Sequence, residues 1–154
     1  MPPRYRHTQA SPFAALVVVS LVALLVILLV EGGSAVPFTL LIPVLIFIHF
    51  ISLTVAVDGE KVSVRMGPGL LRYSYPLDKI ENCRIVQNSP MNSLGIRWTG
   101  NGWLVAVWGL YSVELELEDG SAARIGTDEP EKLARAIEEA LMASRQRLKH
   151  SSAH

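Results

Sequence analysis

From Thr8 to Val30 the chain carries no charged residue, and within that stretch Phe13–Val30 is 18 residues with a single polar member, Ser20. As a helix rising 1.5 Å per residue it would extend about 27 Å, close to the hydrocarbon thickness of a bilayer. After Glu31-Gly32-Gly33-Ser34 a second stretch without Asp, Glu, Lys or Arg runs from Gly32 to Val57, with its apolar part at Val36–Leu53. A helix on the surface of a soluble protein needs a polar face, and neither stretch has one. In hydrocarbon the backbone must satisfy its own hydrogen bonds, which predicts helix for both. The apolar run of the first stretch is longer than the 7–15 residues of a signal peptide, and a second run follows at once, so both are expected to remain in the protein.

The connector is too short to be a domain, so the two predicted helices form an antiparallel hairpin with both open ends in one compartment. Arg4 and Arg6 precede the hairpin, Lys61, Arg65 and Arg72 follow it, and the connector holds only Glu31. The positive-inside rule then places both termini in the cytoplasm, with the protein a multi-pass component of the cell membrane. The expected division is a flank at 1–12, spans at 13–30 and 36–53 joined by an external connector at 31–35, a β domain with a C-terminal helix at 54–148, and a disordered tail at 149–154. In the second span Pro43 is expected to kink the helix. His49 is the one ionisable side chain at membrane depth, and so a candidate intramembrane polar site. A position near the interface, bonded to a carbonyl or a headgroup, accounts for it without a function.

Beyond Leu53 the pattern changes from continuous apolar to period two, which predicts about seven short strands. Lys61–Met66 and Val113–Glu118 alternate most clearly, and Asp58-Gly59 and Asp119-Gly120 are hairpin turn signals. Glu114, Glu116 and Glu118 share one face, read as solvated, opposite Val113, Leu115 and Leu117. Thr127-Asp128-Glu129-Pro130 opens a helix with a cap and a first-turn proline, and Leu133, Ile137 and Leu141 form its buried stripe.

The order of strands and closing helix resembles the pleckstrin-homology fold, and more narrowly the bacterial membrane-anchored PH-like proteins. The residues that carry the resemblance are Leu53-Thr54-Val55, Tyr75-Pro76-Leu77-Asp78-Lys79-Ile80, Val113–Gly120 and, above all, Arg124–Leu133. It implies a two-helix transmembrane hairpin followed by an α+β PH-like domain, an antiparallel barrel or sandwich capped by the C-terminal helix. Relatives that grip inositol phosphates use a basic first hairpin. Here that turn is Asp58-Gly59-Glu60-Lys61, with one base against two acids. Setting Arg4 and Arg6 aside from the 14 bases and Glu31 from the 14 acids leaves 12 and 13, which argues against strong inositol-lipid binding.

Balanced charge also argues against nucleic acid as a partner. The four histidines are dispersed without metal-ligand spacing, so neither a metal nor another cofactor is expected. Cys83, the single cysteine, sits in a predicted strand and reads as a small buried residue. No nucleophile elbow or phosphate loop is present, and no catalytic residue or enzymatic activity is expected. Of the three tryptophans, Trp108 reads as core, whereas Trp98 and Trp103 flank Gly100-Asn101-Gly102 and are the candidate interaction surface. The sequence therefore favours a membrane-tethered module that docks a protein partner. The alternatives are an accessory subunit of an integral-membrane enzyme or transporter, or a lipid-sensing domain.

Overall fold

The computed structural model describes residues 4–31, 36–48, 50–88, 95–98, 100, 102–107 and 109–151. Strand β1 (Tyr5–Ala10) leads directly into helix α1 (Pro12–Glu31), which is followed by α2 (Val36–Ile48). Then come β2 (Ser52–Val57), β3 (Lys61–Met66), β4 (Leu71–Pro76), a 3-10 turn at Leu77–Lys79, β5 (Ile80–Gln87), β6 (Gly95–Trp98), β7 (Gly102–Ala106), β8 (Tyr111–Leu117), β9 (Ala122–Gly126) and α3 (Pro130–Ser151).

The expected pair of transmembrane spans is overturned. α1 is the one described helix long and apolar enough to cross a membrane. α2 has 13 residues, about 20 Å of helix, short of the roughly 30 Å hydrocarbon layer. The apolar run continues to Leu53, but its last residues serve the sheet. Phe50 N–H donates to Phe47 O at 2.9 Å in a turn, Ser52 opens β2, and Leu53 is buried in the β core. Hydropathy alone does not separate a span from the core strand that follows it. Pro43 lies inside α2. His49 lies outside the described residues.

The N-terminal residues, expected as a flank, also join the sheet. β1 pairs antiparallel with β2 from Tyr5↔Val57 to Ala10↔Ser52. Ser11 completes the junction: its N–H donates to Ile51 O at 2.6 Å, and its hydroxyl accepts from Ala14 N–H at 3.2 Å. It is the N-cap of α1, with Pro12 in the first turn. The chain thus leaves the sheet at Ser11 and returns beside it at Ile51, while α1 and α2 pack on each other.

In place of the expected antiparallel barrel or sandwich of about seven strands, the described residues form sheets of four and five strands, in the orders β1-β2-β3-β4 and β5-β8-β9-β7-β6. All neighbours are antiparallel except β7 and β9. The first sheet buries Leu53, Val55, Val57, Val62, Val64 and Met66, and the second contributes Cys83, Val105, Val113, Leu115 and Ile125 to the same core. α3 closes it with Leu133, Ile137 and Leu141, the stripe expected from the i, i+4, i+8 spacing. In the turn ahead of it the Thr127 hydroxyl accepts from Glu129 N–H at 3.1 Å, and Glu129 O takes the first helical bond, from Leu133 N–H.

The parallel β7–β9 pair depends on a missing side chain. A β-carbon on Gly102 would stand 1.4 Å from the carbonyl oxygen of its partner Ala122. That oxygen is backbone and cannot rotate away. Gly102→Ala should therefore cost stability at or above the usual range for overpacking, about 1–3 kcal/mol, read as a lowered midpoint in thermal unfolding.

Candidate functional site

Trp98 and Trp103 do form a pair. They stand opposite each other on β6 and β7, with ring centroids 5.5 Å apart and planes at 76°, the edge-to-face arrangement that aromatic quadrupoles favour. Trp98 is 57% and Trp103 51% exposed. Register explains the exposure. In the neighbouring same-face pair Ile96↔Val105, Val105 is buried in the core and Ile96 packs against it. The apolar face continues to Trp98↔Trp103 beyond what the first sheet and α3 cover. β6 is also the edge of its sheet. A half-open aromatic pair on an edge hairpin suits binding rather than catalysis. Trp108, expected in the core, lies outside the described residues.

The opposite face of the second sheet holds a feature that sequence reasoning misread. Glu114 was expected on a solvated face, yet it is 2% exposed. β8 lies between β5 and β9, and Glu114 is in register with Arg84 on one side and Arg124 on the other. Arg84 Nε donates to its Oε1 at 2.7 Å, and Arg124 Nε donates to its Oε2. Burial pushes the Glu114 carboxyl up, but the hydrogen bonds and charge of Arg124 and Arg84 outweigh it and hold the carboxyl below the usual range. A shallow cavity of about 220 Å³ opens beside it, lined in part by Arg84, Glu114, Glu116 and Ser121. Both carboxylate oxygens of Glu114 are already committed to guanidinium groups, so the cluster braces three strands and has no free base to offer. Alternation along β8 concealed this, because burial of the second face comes from neighbours distant in sequence.

A second cluster joins the N-terminal strand to the closing helix. His7 Nε2 lies 2.8 Å from Asp128 Oδ1, and Nδ1 lies 3.5 Å from Glu129 Oε2. Asp128 N–H donates to the Gln9 side chain at 2.8 Å. Nearby, burial together with the charges of Glu129 and Asp128 pushes the Tyr5 phenol up to about 12. These contacts hold β1, and with it the start of α1, against the β unit. Cys83 is buried, as expected, with its thiol 3.9 Å from Ala134 O. Burial and then Glu138 push that thiol up to about 11, the opposite of an activated nucleophile. Among the described residues no group of three His, Cys, Asp or Glu side chains is placed to hold a metal ion.

An exposed apolar surface lies elsewhere. Phe13, Leu16, Val19, Val22, Val26, Ile27 and Val30 on α1 are all exposed, as are Ile42, Leu45 and Ile46 on α2. No family model matches the chain, and no curated protein matches it significantly.

The brace around Glu114 has a pH signature. A carboxyl held below its unfolded range adds stability that is present above the unfolded pKa and is lost as pH falls through the folded one. Glu114→Gln should lower the unfolding midpoint at neutral pH by the equivalent of about 1.5–3 kcal/mol, the scale of hydrogen bonds to a charged group. It should also flatten the acid-side loss of stability seen in the unmodified protein. Thermal melts from neutral to acid pH check both.

Proposed function

We propose that this chain is a membrane-anchored, non-enzymatic interaction module. Its apolar helix α1 inserts into the membrane, its β unit lies at the cytoplasmic surface, and Trp98 with Trp103 contacts a protein partner. The observation that carries the anchor is the apolar surface of α1 and α2, which has no polar face and little burial in the chain itself. Monomeric proteins in water rarely expose so large a contiguous patch. The Ser11–Ile51 hydrogen bond returns the chain to its point of departure. α1 has the length of one crossing, whereas α2, with 13 residues, does not. The cytoplasmic assignment rests on the bases that flank the apolar segment, Arg4 and Arg6 before it and Lys61, Arg65 and Arg72 after it.

The likeness to PH-like domains belongs to this reading. Two sheets around a shared core, closed by a C-terminal helix, support it. The added strand β1 and the parallel β7–β9 pair depart from it. Fold likeness carries no activity with it. The partner assignment rests on the aromatic pair, and tethering to the bilayer raises the local concentration at which even weak docking operates.

Carbonate washing should leave the protein with the membrane, and reporters fused to the two termini should both respond on the cytoplasmic side. Release into the supernatant, or termini on opposite sides, overturns the anchor. For the docking surface, a photo-crosslinking residue at position 98 should give a discrete protein adduct in intact membranes, and one at Glu118 should not. Trp98→Ala with Trp103→Ala should abolish complex formation while cooperative unfolding persists, since both rings are half exposed. Adducts of equal yield at both positions, or none, overturn the partner reading.

A further inference from the structure

The outward face of the first sheet carries positive charge and no negative charge. Burial alternates along its strands, so the outward residues are Arg6, Thr8 and Ala10 on β1, Ser52, Thr54 and Ala56 on β2, Lys61, Ser63 and Arg65 on β3, and Arg72, Ser74 and Pro76 on β4. None is acidic. Arg6, Lys61, Arg65 and Arg72 take part in none of the ion pairs among the described residues. Arg65 and Arg72 are moreover direct cross-strand partners, where like charges oppose pairing.

Register also fixes their height. The row Thr8–Thr54–Arg65–Arg72 lies two residues from Ala10 and Ser52, the end of the sheet from which α1 departs and to which α2 returns. Two residues of strand are about 7 Å, within the roughly 5–8 Å of headgroup region on each side of the hydrocarbon. Both arginines bend toward that end. Arg72 Nε donates to Gly69 O at 2.6 Å, and the Arg65 guanidinium lies 3.0 Å from where a β-carbon on Gly69 would stand. The turn that gathers them is joined to the junction, with Gly67 N–H donating to Ser52 O at 2.8 Å. It presents Leu70, 76% exposed. Farther from the junction, a recess of about 210 Å³ lined by Arg6, Thr54, Ala56, Ser63 and Arg65 adds guanidinium and hydroxyl donors to the same face. The acids of this sheet, Asp58 and Glu60, lie in the β2–β3 turn at its far end.

We propose that this face binds the phosphate of an anionic phospholipid in the leaflet next to the β unit, with Arg65 and Arg72 as the principal donors. The site rests on the membrane-anchor reading and adds a ligand class to it. Two guanidinium groups without carboxylate partners, set at headgroup height, match a phosphodiester in charge and in hydrogen-bond geometry. Net charge conceals the site, because the acids that balance these bases lie on other faces of the molecule.

The test uses the full chain in nanodiscs of equal phosphatidylglycerol and phosphatidylcholine, with the lipids retained on release identified by native mass spectrometry. The unmodified protein should retain phosphatidylglycerol over phosphatidylcholine by about tenfold or more, the order expected of two basic side chains at the leaflet surface. Arg65→Gln with Arg72→Gln should bring the ratio to about one, while Arg135→Gln on α3 should leave it unchanged. In pure phosphatidylcholine discs the double variant should melt no lower than the unmodified protein, since a like-charge pair has been removed. Equal retention of the two lipids by the unmodified protein, or a preference that survives the double variant, overturns the site while incorporation into neutral discs leaves the anchor intact. Loss of the lipid to excess inorganic phosphate would assign the site to the free anion and overturn the lipid reading. Failure to enter discs at all overturns both.

Discussion

The pairing of β1 with β2, closed by Ser11 and Ile51, is the constraint on which the rest of the molecule depends. A long apolar helix at the end of a chain can leave a folded unit in any direction and at any angle. Here the strand before it and the strand after its companion are hydrogen-bonded neighbours in one sheet, so the apolar segment is an excursion with a common start and finish. His7 and Gln9 carry the constraint further by holding β1 to Asp128, in the turn that leads into α3. The helices and the β unit are thereby joined along a strand, where a flexible linker would have left them independent.

Charge is distributed with the same economy. The chain is neutral overall, but its charges are sorted by face. Glu114 is sequestered between two arginines on the second sheet, while the outward face of the first sheet keeps arginines that no carboxylate satisfies. The first arrangement stabilises a buried carboxylate and braces three strands. The second opposes pairing of the strands that carry it and leaves donors free for an anion. Physically the two differ in whether a register partner of opposite sign stands beside the base.

Much of the fold was legible because its signals are local. Alternation predicted about seven strands where eight follow the helices, the Asp-Gly turns fell where expected, and the spacing of Leu133, Ile137 and Leu141 marked the helix face that closes the core. That Trp98 and Trp103 flank a glycine-rich turn was legible too, whereas their pairing came from the β6–β7 register. What went unread was non-local. β1 has six residues of mixed character, Tyr5–Ala10, and becomes a strand only because β2 is there to pair with it. Glu114 reads as an outward residue until β5 and β9 supply arginines on both sides.

The second apolar run shows where the division falls. Composition alone determined that Phe13–Val30 is helical and unsuited to water, because no arrangement of those side chains yields a polar face. Composition could not determine where the helix after it ends, since Phe50, Ile51 and Leu53 are as apolar in a membrane as in a β core. Tertiary structure decided that, by giving Ile51 O a donor in Ser11 and Leu53 a buried place opposite Met66. Hydrophobicity is a property of a residue and can be read one position at a time. A hydrogen-bond partner is a property of two positions, here about forty residues apart, and exists only once the chain has folded.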